Sequence, residues 1–220
     1  MGFRIGVAAV MAAAALGQAS SSPRVTYTRS FKGSQPAFLQ LAIQQDGAAS
    51  YQAKEKDDDP LTTITFTASP EVAAEIFADV HALGDFAGPK LQSKEKVAYT
   101  GDKMLAYDDA SQHRSQEFTY TKLPASRSLV ELFEKISTAG MDAIRLQRAL
   151  RYQPLNVLDA MQQMQSDWDL HQIAEPQIMQ PILEQTVASP AAMDAARHRA
   201  QKLLDAIAKA KSATARRPAE

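Results

Sequence analysis

The chain contains no cysteine, which excludes disulfides, thiol nucleophiles, thiolate metal sites and the lipid-modified cysteine of a lipoprotein leader. Histidine is scarce. The four residues His81, His113, His171 and His198 stand at least 27 positions apart, so the paired-histidine helix of a zinc protease is ruled out. Glycine is sparse too: none of the nine lies two positions from another, and no Gly-Lys-Ser or Gly-Lys-Thr occurs. Loops that cradle phosphate through closely spaced glycines are therefore absent. There is likewise no Gly-x-Ser-x-Gly turn to raise a nucleophilic serine.

Long hydrophobic runs are also missing. The apolar stretch from Ile5 to Gly17 is 13 residues long, whereas a membrane-spanning helix needs roughly 20. It follows Arg4 and ends in Gly17-Gln18-Ala19, with small residues at the two positions a signal peptidase reads, before Ser20-Ser21-Ser22. Residues 1–19 are thus expected to be a cleavable signal peptide, leaving an exported periplasmic or extracellular chain without a transmembrane segment. About 200 residues can bury some 70% of their unfolded surface, so the remainder can fold without disulfides.

Charge is balanced overall, with 24 basic and 25 acidic residues, but unevenly spread. Arg197, Arg199, Lys202, Lys209, Lys211, Arg216 and Arg217 face only Asp194, Asp205 and Glu220 in the last 31 residues. No aromatic residue interleaves with them, so a solvated helix face is expected there and nucleic acid is not an expected partner.

What is present divides into two halves. Val25, Tyr27 and Phe31 alternate with polar residues, as do Leu39, Leu41 and Ile43, and the pair Asp46-Gly47 suits a tight hairpin turn into a strand over 50–54. Ile64 and Phe66 mark a further strand. Ser69-Pro70 then predicts a helix start, and Val72, Ile76, Phe77, Val80 and Leu83 share one helical face. A second strand group is expected at Val97–Tyr99, Met104–Tyr107 and Gln116–Thr121. From Ser126 the period becomes helical: Leu129, Leu132, Phe133 and Ile136 lead a helix reaching Tyr152, which Gly140 is expected to weaken or bend. Three more helices are marked by Pro154, Pro176 and Ser189-Pro190.

The expected fold is α+β: an antiparallel sheet of about six or seven strands packed with helices, followed by a helical C-terminal half. The expected organisation is a leader at 1–19, a sheet region with one helix at 20–124, a helical region at 125–211 packed with it as one domain, and a disordered tail at 212–220.

Candidate sites are few. Asp167, Asp169 and His171 place three potential metal ligands within five residues, yet on a helix Asp167 and His171 simply form an i, i+4 pair. Asp57-Asp58-Asp59 and Asp108-Asp109 carry oxygen ligands without the spacing of a calcium loop. Arg145, Arg148 and Arg151 form a stripe that suits an anion or an acidic partner, or plain solvation. Tyr27, Tyr51, Tyr99, Tyr107 and Tyr120 fall in the strand half, where an exposed aromatic face would bind sugar or peptide and a buried one would pack the core. No catalytic, cofactor-binding or metal-ligating residue is assigned on these grounds. The reading is a non-catalytic binding protein whose partner is a protein or other envelope component. A hydrolase with carboxylates assembled only in the fold, and a structural or assembly protein of the envelope, are the alternatives; a cleft with several raised-pKa acids points to the first, an open polar sheet face to binding.

Overall fold

A computed structural model describes residues 22–214. The leader expected over 1–19 lies outside these residues, as do residues 215–220. The elements are β1 (Arg24–Ser30), β2 (Phe38–Gln44), β3 (Ala48–Lys54), β4 (Thr62–Thr67), α1 (Pro70–Ala82), β5 (Asp102–Asp108), β6 (His113–Phe118), α2 (Pro124–Tyr152), α3 (Val157–Asp169), α4 (Gln180–Ala188) and α5 (Asp194–Thr214). The six strands form one antiparallel sheet in the order β4-β3-β2-β1-β5-β6, so the fold is α+β with its helices mostly in the C-terminal half.

Alternation in the strands decides which face is covered. Val25 and Tyr27 of β1, Leu39, Leu41 and Ile43 of β2, Tyr51 of β3 and Leu105 of β5 are all fully inaccessible, and they meet side by side through the register Tyr27↔Leu41, Leu41↔Tyr51 and Tyr27↔Leu105. The turn between β2 and β3 needs a positive φ, and Gly47 supplies it at 89° while Asp46 Oδ1 accepts a hydrogen bond from Ala48 N–H at 3.0 Å.

α1 carries the chain from the β4 edge back across the sheet to β5. It starts where Ser69 accepts a hydrogen bond from Val72 N–H at 3.4 Å and Pro70 opens the first turn. Ile76, Phe77 and Val80 are buried, and the Phe77 ring meets Tyr107 of β5 edge-on at 6.5 Å. α2 is one helix of 29 residues, roughly 43 Å long at 1.5 Å per residue. Phe133 stacks on Tyr27 at 5.3 Å and seats it on the sheet. Residues 139–144 are buried one after another, which is possible only for a helix covered on more than one side. The second cover is α3, α4 and α5, whose Met161, Met164, Leu183, Ala196, Ala200 and Leu203 join the same core.

Two local expectations change. Val97–Tyr99 is not a strand, because β5 is already paired with β1 on one side and β6 on the other. Residues 83–101 instead run as an irregular connection beside β6, tied by Leu91 N–H to Gln116 Oε1 at 2.9 Å, Ser93 N–H to the Tyr120 carbonyl at 2.8 Å and Thr119 N–H to Gln92 Oε1 at 2.8 Å. Gly140 does not interrupt α2; it makes room, since a Cβ at that position would overlap the Tyr51 ring. At the C-terminal side α5 continues through Thr214, so Ser212 to Thr214 are helical.

Candidate functional site

The uncovered face of the sheet follows from the same alternation. Every second residue points away from α1 and α2, and these outward positions are half-buried or exposed apart from Ala106, which is buried. Cross-strand register sorts these residues into rows. The central row is Thr65, Ser50, Ala42, Thr26, Ala106 and Ser115, built wholly of small side chains without charge. One neighbouring row is Thr63, Gln52, Gln40, Thr28, Met104 and Glu117. On the other side Arg24 stands between Gln44 and Asp108, with His113 beyond. The face is therefore a shallow trough of hydroxyls and methyls between a long-chained amide row and a charged corner.

The corner is the part with defined electrostatics. Arg24 Nη2 reaches Asp108 Oδ2 at 3.1 Å, and His113 Nδ1 meets the other oxygen of the same carboxylate. Partial burial opposes ionisation of Asp108, but the hydrogen bonds from His113 and Arg24 outweigh it and hold the carboxyl below its usual range. Asp109 next to it is a turn residue: Ser111 and Gln112 donate to its carboxylate and pull it down to about 2.

Two depressions lie elsewhere. One of about 570 Å³ is walled by Lys103, Phe118, Tyr120, Arg127 and Glu131 at the start of α2. Lys103 Nζ is already engaged there by Thr100 Oγ1 at 2.8 Å and by the carbonyls of Thr119 at 3.2 Å and Thr100 at 3.3 Å, and burial lowers its pKa. The other, of about 420 Å³, lies between the β2–β3 turn and α1, against Gly47, Pro70 and Phe77. Each is lined by a single acid, Glu131 in the first and Asp46 in the second.

The tyrosines mostly face inward. Tyr27 and Tyr51 are fully buried, the first donating to Glu134 Oε1 at 2.7 Å and the second paired with Ser137 Oγ at 3.2 Å. Burial raises the pKa of both hydroxyls. Half-buried Arg29 adds an ion pair to Glu134 at 3.1 Å. Tyr107 is core, Tyr99 is exposed in the 83–101 connection and bonds Asp102 at 2.8 Å, and Tyr120 is half-buried. The uncovered sheet face is consequently mostly polar, with half-buried Phe38 as its ring, at the end of β2 between Ser30 and Lys54. The sequence matches no family model and no curated protein. The geometry carries the reading alone.

The remaining candidates are dispersed. Asp167 accepts from Gln163 Nε2 at 2.9 Å on α3, Asp169 is exposed at the helix end, and His171 follows in a left-handed conformation with φ 56°. Asp57 and Asp58 are exposed. Asp59 takes Lys56 N–H at 3.1 Å and, at 3.4 Å, Arg148, which also pairs with Glu55 and so ties the β3–β4 connection to α2. Arg145 leans towards Asp142, and Arg151 is exposed, so the arginine stripe is divided among separate tasks. On α5 Arg197 pairs with Asp194, while Lys202, Lys209 and Lys211 are exposed.

One residue escaped the sequence reading. Asp142 is 3% exposed in the middle of α2, and its Oδ2 has no hydrogen-bond partner. Burial first, and the Asp167 carboxylate next, push its pKa up to about 7. The available signal was a lone acid within Ala139-Gly140-Met141-Asp142-Ala143-Ile144, an otherwise apolar stretch of helix.

Proposed function

We propose that the chain is an exported, non-catalytic binding protein of the cell envelope, and that a protein partner seats on the uncovered face of the sheet. The observation that carries this reading is the six-strand polar face whose central row, Thr65 to Ser115, is small and uncharged. A flat surface of this kind suits the extended footprint of a protein interface, typically about 800 Å² per partner, better than a small molecule, which needs enclosure. Sugars usually stack on exposed aromatic rings, and here Tyr27, Tyr51 and Tyr107 belong to the core, which leaves a single half-buried ring, Phe38, at one end of the open face among the outward strand positions. Asp142, whose pKa burial raises, lies between α2 and α3 and lines neither depression, and each depression is lined by a single acid, which supports binding over carboxylate catalysis.

A photo-crosslinking amino acid at Thr65 on the uncovered face, compared with one at exposed Glu184 on α4, tests this in the producing cells. The expected result is a discrete protein conjugate from position 65 alone. Conjugates of equal yield from both positions, or a glycan conjugate in place of a protein, would overturn it.

A further inference from the structure

Asp142 has no role in the sheet face. Its side chain is 2% exposed, it points from α2 at the contact with α3, and one of its oxygens has no hydrogen-bond partner. Arg145, one turn along the same helix, approaches the other oxygen only to 3.9 Å, too far for a hydrogen bond. From the facing helix comes a second carboxylate, Asp167, steadied by the Gln163 amide at 2.9 Å. The charges acting on Asp142 are therefore Asp167 across the seam and Arg145 beside it. The other acids of the elements packed on α2 are Glu71 and Glu75, exposed on α1, Asp79, half-buried on α1, Asp159 and Asp169, exposed on α3, Glu184, exposed on α4, and Glu175 before α4, bound by Ser69.

Two facing carboxylates inside a helix contact cannot both be ionised at low cost. With one proton between them they can hydrogen-bond; without it they repel in a low-dielectric setting. We propose that the α2–α3 seam is a proton-gated contact, closed while Asp142 and Asp167 share one proton and loosened when that proton leaves. Loosening releases the face of α3 that holds Met161 and Met164 in the core, and with it α5, whose Arg199 is bonded to Gln165 of α3. The proton needs no other reactant: it passes to solvent as the pH rises and returns as it falls.

Trp168 reports on the seam, because it follows Asp167 on α3, is half-buried against the core and is the single tryptophan of the chain. Its fluorescence is to be followed from pH 5 to 9 in the full chain, in Asp142→Asn, in Asp167→Asn and in His171→Gln. The expected result is a reversible transition with a midpoint near 7 in the parent and in His171→Gln, absent from Asp142→Asn and moved at least one pH unit lower in Asp167→Asn. Amide exchange in 157–169 should rise tenfold or more above the same midpoint in the parent and stay flat in Asp142→Asn. A transition that persists in Asp142→Asn, or disappears in His171→Gln, overturns the inference. So does calcium or magnesium abolishing the transition in the parent, since the pair would then be a cation site.

Discussion

The ring of Tyr51 occupies the space that a Cβ on residue 140 would need, so α2 can lie on the sheet at this height only because position 140 is glycine. Ala is the better helix former by about 1 kcal/mol, and an isolated helix would gain from Gly140→Ala. In this chain the methyl meets a fully buried ring whose hydroxyl is held by Ser137. Overpacking typically costs about 1–3 kcal/mol, so Gly140→Ala is expected to lower the urea midpoint despite its helix propensity. A raised midpoint would show that Tyr51 can move aside.

Phe77→Ala removes a buried ring that lies between α1 and β5, in edge contact with Tyr107. Such truncations typically cost about 3–5 kcal/mol, a large share of the roughly 5–15 kcal/mol that stabilises a domain. Glu75→Ala, on the exposed side of the same helix, is expected to leave the midpoint within about 0.5 kcal/mol of the parent. Equal midpoints for the two variants in urea denaturation would contradict the packing of α1.

The N-terminal end of α1 is fixed at long range. Ser69 donates from its hydroxyl to Glu175 Oε1 at 2.6 Å and from its N–H to Glu175 Oε2 at 3.0 Å, while its Oγ also accepts from Val72 N–H. Ser69→Ala is expected to cost about 1–3 kcal/mol, more than a solvent-exposed cap, because a buried carboxylate loses a partner. Thermal unfolding of Ser69→Ala and Ser69→Thr separates the terms: Thr retains the hydroxyl and should recover most of the loss.

Stability should fall with rising pH through the Asp142 window. Its folded-state pKa is raised from the usual 3.8 to about 7, so the stabilisation is complete below pH 4, where the unfolded chain is protonated too. It declines as the unfolded carboxyl ionises and is gone once the folded one does, above pH 7. The full span is on the order of 4 kcal/mol. Urea midpoints at pH 4.5 and 8 should differ by less in Asp142→Asn than in the parent, and equal differences would sink this assignment.

Much of the fold was legible because it rests on local rules. Asp46-Gly47 announced its hairpin through the need for positive φ, Ser69-Pro70 announced a helix start, and strand alternation placed Tyr27 and Leu41 on the apolar sides of their strands while leaving the burial of Tyr51 open. What stayed hidden depends on partners distant in sequence. Gly140 looked like a weak point in a helix because nothing near it reveals Tyr51, 89 positions earlier. Val97 and Tyr99 alternate like a strand, but pairing is decided by which edges β1 and β6 leave free. Asp142 and Asp167 meet only after α3 folds back on α2. The arginine stripe read as one surface became two separate contacts, of Arg145 with Asp142 and of Arg148 with Glu55 and Asp59, and an exposed Arg151, for the same reason.

Export is checked independently of the fold. If the proposed leader is cleaved after Gly17-Gln18-Ala19, the mature chain starts at Ser20. N-terminal sequencing of the protein from the exported fraction should return Ser-Ser-Ser-Pro, and an intact Met1 in that fraction would contradict cleavage.

The most direct measurement of binding through the sheet is the effect of Ser50→Arg on association with the partner captured at position 65. Ser50 stands one strand in from the β4 edge of the small-residue row, between Ala42 and Thr65, and its half-exposed side chain can be enlarged without disturbing the core. If the partner seats on this face, Ser50→Arg should weaken association at least tenfold while its urea midpoint stays that of the parent, and Glu184→Arg should do neither. Unchanged association for Ser50→Arg in a protein of parental stability would contradict the assignment of the open sheet face as the binding surface.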